Sequence, residues 1–182
     1  MSSKNARWSI LVAGFMTVFV HAGAYAVDAV SFDFATGNKT QKAEFGLQWD
    51  WQRQWLQSNG THVDGYWDLS LAQWRGTRYQ SIPDATQNIT DIGITPMFRF
   101  QRDSRTGLYA EGGIGAHLLS AHYDNNGRRL STALQFGTHL GVGYAFSNKL
   151  DVGLQIEHVS NGGIKHPNDG VNFAGVRVRY RL

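Results

Sequence analysis

The chain has 182 residues, a formal net charge of +3 at neutral pH and no cysteine. The near-neutral charge argues against nucleic acid as a partner, because nucleic-acid binding normally requires a clustered basic face. The lack of cysteine excludes thiolate catalysis, cysteine metal sites and disulfides. Glycine is abundant, with 21 residues, and 13% of all residues are aromatic. No segment after residue 26 is long and apolar enough to form a membrane helix.

The first 26 residues have the layout of a secretory signal peptide. Two cations precede an apolar run over residues 8–20, and Ala24 and Ala26 supply the small residues of a cleavage site. The apolar run is too short to span a membrane as a helix. We therefore expect a signal peptide over residues 1–26 and a single domain over residues 27–182. Loss of the two cations lowers the formal charge from +3 to +1.

Alternation of apolar and polar residues predicts a series of β-strands after the signal peptide. Successive side chains of a strand point to opposite faces, so such a pattern gives one apolar and one polar face. The alternating segments cover residues 30–34, 43–51, 63–71, 92–100, 108–118, 134–146, 150–160 and 171–182. The sequence thus predicts eight strands.

The connections between these segments alternate in length. Residues 103–106 and 147–149 are tight polar turns, whereas residues 75–87, 120–129 and 161–170 form longer loops. Short turns at one end, long loops at the other and an even strand count are typical of outer-membrane barrels. The predicted fold class is therefore all-β, an eight-stranded antiparallel transmembrane β-barrel. Side chains just fill a barrel of this size, so we expect a plugged polar interior and no pore.

A soluble barrel of the lipocalin type is the alternative, since it places the apolar face inside and the polar face outside. Two features favour the membrane. Aromatic residues gather near the strand ends, as interfacial girdles do. The polar face also carries more charges than a small core buries unless they are paired. The predicted polar lining includes Glu44, Asp50, Asp68, Arg99, Glu111, Gln155 and Glu157.

The seventh strand ends with two polar residues on its apolar face. Alternation from Leu150 to Ile156 continues to His158 and Ser160, which therefore point the same way. Residues two apart on a strand are separated by roughly 7 Å, so their side chains can converge as a general base and a nucleophile must. On a membrane barrel this pair faces lipid at the outer leaflet. The plainer alternative is a polar rim where the strand leaves the bilayer.

The same region resembles a known family. His158 to Lys165 reads His-Val-Ser-Asn-Gly-Gly-Ile-Lys, and Pro-Asn-Asp-Gly follows at residues 167–170. This run resembles the lipid A 3-O-deacylases of Gram-negative outer membranes, the PagL family, and weaker similarity extends through residues 46–51, 65–68 and 111–115. The resemblance implies a barrel that hydrolyses the ester of the 3-position acyl chain of lipid A, with lipopolysaccharide as substrate and outer-membrane lipids as surroundings.

The resemblance also implies roles for individual residues. Ser160 takes the place of the family's nucleophile and His158 that of its base. The family's third member is a glutamate on the last strand, and this chain has Asn172 there. An amide oxygen can accept from the histidine Nδ1–H and fix its tautomer, but it supplies no charge to stabilise the imidazolium. We therefore expect the geometry to persist with a lower rate unless Asp169 or another group compensates, the alternative being an asparagine without a role.

The oxyanion of the tetrahedral intermediate needs hydrogen-bond donors. The backbone N–H groups from Asn161 to Gly163 are candidates because they lie beside Ser160, and the side chain of Asn168 is a candidate by its place in the family motif. The sequence assigns His62, His122 and His166 to loops and His117 and His139 to the lumen. Because none of them has metal-ligand spacing with a carboxylate, we predict a metal-independent hydrolase without a cofactor.

Two other functions stay open at this point. A non-catalytic surface barrel would serve adhesion or membrane stability, and an acyltransferase would use the same nucleophile. Arg128, Arg129 and Lys165 either pair with lipid A phosphates or are ordinary solvated loop charges. The oligomeric state, including any homo-oligomer, is not encoded in a readable pattern.

Overall fold

The computed structural model describes residues 26–182, which form a closed antiparallel β-barrel. The signal peptide predicted for residues 1–26 lies outside the described residues except for Ala26, and it stays a prediction. The strands are β1 (Ala29–Gly37), β2 (Thr40–Asp50), β3 (Trp55–Ser58), β4 (Thr61–Gly76), β5 (Gln87–Arg102), β6 (Gly107–Leu119), β7 (Asp124–Asn125), β8 (Arg128–Arg129), β9 (Leu134–Ala145), β10 (Leu150–Ser160) and β11 (Val171–Arg181).

Eight long strands form the barrel wall, which confirms the predicted fold class. Their order around the barrel is β1, β2, β4, β5, β6, β9, β10 and β11, and β11 pairs with β1 to close the sheet. The short strands β3, β7 and β8 lie within connections. In the part of the chain that the structure describes, no helix has the length and hydropathy to cross a membrane.

The long loops meet at one end of the barrel, called here the loop end. The connections over residues 77–86, 120–133 and 161–170 lie there, together with the tight β1–β2 turn. Antiparallel bridges join the loops to one another, between Tyr79 and Asn125 and between Leu130 and Asn168. The loop end is therefore a mutually supported layer of chain rather than a set of separate loops.

The two faces of the wall differ in polarity as a membrane barrel requires. The outer face exposes large apolar side chains, and these include Phe32, Phe34, Leu71, Ile92, Phe100, Leu140, Leu154 and Ile156. The inner face buries polar and charged side chains, including all of the predicted lining except Asp50, which is partly exposed. The apolar face is therefore outside, and the lipocalin-type alternative is wrong.

Ion pairs fill the lumen and account for the charges buried there. Arg177 Nε lies 2.7 Å from Asp33 Oδ1, and its Nη2 lies 3.3 Å from Asp68 Oδ2. Arg99 contacts Glu111 and Asp151, each at 2.7 Å. Removing one partner of such a pair leaves an uncompensated buried charge, which typically costs about 3–5 kcal/mol. The network therefore holds the strands in register from inside.

The lumen becomes apolar close to the loop end. Trp74, Tyr123 and Phe173 pack edge to face there, with ring centroids 6.0 Å apart for Trp74–Tyr123 and 4.9 Å apart for Trp74–Phe173. Val159 of β10 and its cross-strand partner Val171 of β11 belong to the same cluster and are both 0% exposed. This apolar plug therefore sits directly behind the ends of β10 and β11.

Candidate active site

The ends of β10 and β11 place a histidine and an asparagine side by side on the outer face. His158 and Asn172 are cross-strand partners, and both side chains are exposed. The His158 Nδ1 atom lies 2.6 Å from Asn172 Oδ1. Because an amide oxygen only accepts, Nδ1 carries the proton and Nε2 carries the lone pair. His158 thus keeps the lone pair of Nε2 available, and Asn172 lies beside it across the strand pair, in the position predicted for it.

The loop after β10 is packed against the imidazole of His158. A Cβ at Gly170 would lie 2.7 Å from His158 Cε1 and 3.3 Å from its Nε2, and Gly170 has φ +65°. This close approach and the positive φ both require glycine. Arg128 Nη1 donates to the carbonyl oxygens of Asp169 at 2.7 Å and Gly170 at 3.0 Å. Arg128 therefore holds the loop segment that packs against His158.

Ser160 lies on the same face of β10, two residues after His158, and is partly exposed. It ends the strand opposite Phe136 of β9. Among residues 26–182 the Ser160 hydroxyl makes no hydrogen bond to His158. Catalytic hydrogen bonds are often long in free enzymes and shorten when substrate binds. The strand therefore brings the two side chains to one face without a hydrogen bond between them.

The predicted oxyanion donors are engaged to different degrees. Asn161 N–H donates to Asn168 Oδ1 and Gly163 N–H donates to Asn161 Oδ1, each at 2.9 Å. Asn161 is fully buried, and its Nδ2 donates to Lys165 O at 2.6 Å. Both backbone donors thus hold the loop itself together. Asn168 Nδ2 donates no hydrogen bond within residues 26–182, so it is the candidate with a donor to spare, and the oxyanion role stays a prediction.

A shallow apolar groove begins below the His158–Asn172 pair on the outer face. Its volume is about 750 Å³, and Ile156 and Ala174 form the cross-strand pair adjacent to the site. Two small outward-facing side chains, Ala110 and Ala174, form its floor between larger neighbours. The larger apolar side chains of the lining are Leu140, Val142, Leu154, Ile156 and Val176. A depression with this chemistry fits an extended hydrocarbon chain.

The inner face of the same strands carries a cluster that the sequence did not reveal. His117 of β6, His139 of β9 and Glu157 of β10 have one ligand atom each within 4.8 Å of one another. The absence of metal-ligand spacing along the chain therefore does not extend to the folded barrel, where two histidines and a carboxylate converge. Spacing along the chain missed the cluster because it comes from three strands whose register is set by pairing.

His62 also differs from its predicted place in a loop. It lies in β4 and is fully buried, with Nδ1 2.8 Å from Asp103 Oδ1 and Nε2 3.3 Å from Asp64 Oδ2. The predicted strand began at residue 63, whereas β4 begins at Thr61. Extending the polar alternation of residues 64 and 66 backwards by one step would have found it.

A closed eight-stranded barrel with an apolar outer surface defines a small outer-membrane β-barrel, and the exposed histidine–amide pair gives it an enzyme-like site. The profile of the family described as "Lipid A 3-O-deacylase (PagL)" matches residues 41–181. The chain therefore belongs to the lipid A 3-O-deacylase (PagL) family. The resemblance seen in the sequence is confirmed, and the function of the chain is that of an outer-membrane lipid A 3-O-deacylase.

Individual relatives agree with the family assignment. The lipid A deacylase PagL of Pseudomonas aeruginosa is 32% identical over 152 residues, which cover 82% of this chain and 83% of the relative. The lipid A deacylase PagL of Bordetella bronchiseptica is 37% identical over 155 residues, covering 84% and 83%. The crystal structure of the outer membrane enzyme PagL has a TM-score of 0.74 at 26% identity, over 85% of this chain and 99% of that one.

Proposed function

We propose that this protein cleaves the 3-O-acyl ester of lipid A by a serine mechanism, with Ser160 as nucleophile, His158 as general base and Asn172 as the residue that orients the base. No metal takes part at the reacting carbonyl in this mechanism. The observation that carries the proposal is the 2.6 Å contact between His158 Nδ1 and Asn172 Oδ1 on the outer face, on the strand that also ends in Ser160.

The reaction begins with proton transfer from Ser160 Oγ to His158 Nε2. Oγ attacks the ester carbonyl, and Asn168 Nδ2 donates to the oxyanion that develops. The tetrahedral intermediate collapses when the imidazolium returns the proton to the 3-oxygen of the sugar, which leaves an acyl group on Ser160. A water molecule, deprotonated by the same Nε2 atom, then releases the fatty acid and restores the serine.

The outer groove supports the choice of a lipid ester over a soluble one. The reacting acyl chain lies along Ile156 and Ala174 when its carbonyl is at Ser160, and the sugar remains above, at the level of the lipid headgroups. Each methylene buried from water stabilises a complex by about 0.8 kcal/mol. Because the free substrate is already in the membrane, the groove positions the chain more than it increases affinity.

The asparagine lowers the expected rate without removing the mechanism. Asp169, the residue before Gly170, is a nearby carboxylate, but its Oδ2 accepts from Arg129 N–H at 2.7 Å. His158 has no carboxylate partner among residues 26–182, so its imidazolium is stabilised by an amide dipole alone. We therefore expect slower turnover than a carboxylate would allow.

The test is mass spectrometry of lipid A from a Gram-negative host that expresses the protein. Expression should remove one 3-hydroxyacyl chain, and Ser160→Ala and His158→Ala should each abolish the loss while leaving a heat-modifiable barrel. Ser147→Ala and His122→Ala are matched controls, because both residues are exposed and lie outside the β10–β11 site, Ser147 in the β9–β10 turn at the opposite end of the barrel and His122 in the connection after β6. Retained deacylation in both site variants would refute the serine mechanism. Unchanged lipid A with the unaltered protein would favour a non-catalytic barrel, and a heavier acceptor lipid would indicate acyl transfer.

A further inference from the structure

Three buried polar atoms behind β10 face one point and have no partner. His117 Nε2, His139 Nε2 and Glu157 Oε1 make no hydrogen bond among the described residues. Their residues are 1%, 5% and 4% exposed, and His139 Nε2 lies 3.9 Å from Glu157 Oε1. An unsatisfied buried polar group typically costs about 1–3 kcal/mol. Three such atoms that converge are therefore best explained by one common ligand.

The surroundings of the cluster leave these three atoms free to act as electron-pair donors. His117 Nδ1 lies 3.1 and 3.2 Å from the two Asp91 oxygens, so Nδ1 holds the proton and Nε2 the lone pair. Histidines that bind metal usually donate their other ring N–H to a carboxylate in this way. Lys42 pairs with Glu157 through Oε2, which leaves Oε1 for a ligand.

The packing keeps space open at the point where the three atoms meet. A Cβ at Gly137 would lie 2.6 Å from His117 Nε2 and 2.9 Å from His139 Nε2. Only a glycine at this position therefore leaves the volume between the two nitrogens unfilled. The two imidazole rings are stacked with centroids 5.6 Å apart and an interplanar angle of 26°, which allows both Nε2 edges to face the same volume.

We propose that His117, His139 and Glu157 bind one divalent transition-metal ion, such as Zn²⁺, inside the barrel, with water as the fourth ligand. Two imidazoles and a carboxylate suit Zn²⁺, which binds at about 2.0–2.2 Å from nitrogen and oxygen. Tetrahedral geometry then places ligand atoms about 3.3 Å apart. His139 Nε2 and Glu157 Oε1 are now 3.9 Å apart, and all three atoms lie within 4.8 Å of one another, so side-chain rotations have to bring them closer when the ion binds. Lys42 nearby pairs with Glu44 at 3.0 Å, and Asp91 pairs with His117 at 3.1 Å.

The site would brace the strands that carry the catalytic pair. Its ligands come from β6, β9 and β10, and Glu157 immediately precedes His158 on β10. The two side chains point to opposite faces of the wall, so the ion does not touch the reacting ester. The role is structural, and it is independent of the serine mechanism proposed above.

Metal content of the folded protein tests the proposal. Tag-free protein is refolded in detergent with Zn²⁺ and then desalted. A site with three protein ligands should retain about one equivalent of zinc per chain, measured by inductively coupled plasma mass spectrometry. His139→Gln and His117→Gln should each lower the affinity for zinc at least about tenfold. His62→Gln is the matched control, because His62 is also a buried lumen histidine but both its ring nitrogens already have side-chain partners.

Ser160→Ala should retain as much zinc as the unaltered protein, so that the outcome of this test does not depend on the serine mechanism.

Cobalt binding by the unaltered protein keeps the test decisive if a histidine variant fails to fold. Co²⁺ in this site should give the visible absorption bands of a tetrahedral ion and be displaced by Zn²⁺. Folded protein that retains less than about a tenth of an equivalent of either ion would overturn the proposal and leave a water molecule as the common ligand. Full retention by both His117→Gln and His139→Gln would overturn it equally.

Discussion

Replacing Asn172 by aspartate places a negative charge beside His158, the candidate base, with almost no change in the shape of the side chain. The Asn172 Oδ1 atom that contacts His158 Nδ1 at 2.6 Å has an equivalent oxygen in aspartate. The orientation of the imidazole and its tautomer should therefore persist. What changes is the interaction with the imidazolium, which exists only after Ser160 has lost its proton.

The gain follows from the energy of one charge pair in a partly wet site. Two unit charges about 4 Å apart interact by about 1 kcal/mol in water and about 4 kcal/mol at an effective dielectric constant of 20. Both side chains are exposed, so solvent screening favours the low end of this range. We expect a transition state stabilised by about 1.4 kcal/mol, which is about tenfold in rate.

The assay is single-turnover release of fatty acid from lipid A in mixed micelles, with protein whose folding has been checked by heat modifiability. Asn172→Asp should raise the rate about tenfold, and Asn172→Leu, which removes the acceptor, should lower it by about 5- to 150-fold for a loss of about 1–3 kcal/mol. Asn148→Asp makes the same change of net charge in an exposed turn at the other end of the barrel and should have no effect. Equal rates for the unaltered protein and for both variants at position 172 would refute the role of this residue.

Three further substitutions separate positioning from stability. Gly170→Ala places a Cβ 2.7 Å from His158 Cε1 and should reduce the deacylation rate at least about tenfold. Gly127→Ala, which is also at positive φ but has open space around its Cβ, should leave the rate unchanged. Equal rates for the two variants would show that the loop does not confine His158. Ala174→Leu fills the groove and should shift the preference toward shorter acyl chains in a competition assay, whereas Ala43→Leu on the outer face of β2 should leave it unchanged. Phe173→Ala removes a ring from the apolar plug and should destabilise the barrel by about 3–5 kcal/mol. The loss should appear as a lower temperature at which the barrel unfolds in a heat-modifiability assay. An unchanged unfolding temperature would mean that the plug does not support the loop end.

The barrel and the outward direction of His158 could be predicted because both follow from the alternation of apolar and polar residues along single strands. The alternation that places Glu157 inside also places His158 outside, and this needs no knowledge of neighbouring strands. The Asn172 contact needed only one further step, the pairing of the last two strands. Period alone could not say which face meets lipid, and the number of charges on the polar face decided that correctly.

The features that the sequence missed depend on several strands or loops at once. His117, His139 and Glu157 are brought together by the register of β6 with β9 and of β9 with β10. The hydrogen bonds of Asn161 and Gly163 likewise depend on how the final loop folds back on β10. Spacing along the chain contains neither the register nor the loop fold. The cluster of His117, His139 and Glu157 was therefore not predicted, and the oxyanion donors could only be named as a group.

Because alternate residues of a β-strand point to opposite faces, one short segment of β10 carries the candidate catalytic residues on its outer face and the residues that stabilise its backbone on its inner face. His158 and Ser160 face the membrane, while Glu157, Val159 and Asn161 are buried. The buried neighbours hold the backbone that carries the outer pair through an ion pair, apolar packing and loop hydrogen bonds. Substitutions on the outer face should therefore change rate at constant stability, and those on the inner face should change stability first. Because adjacent residues share one backbone, loosening Val159 also costs activity by displacing His158, whereas changing His158 leaves the packing of Val159 intact.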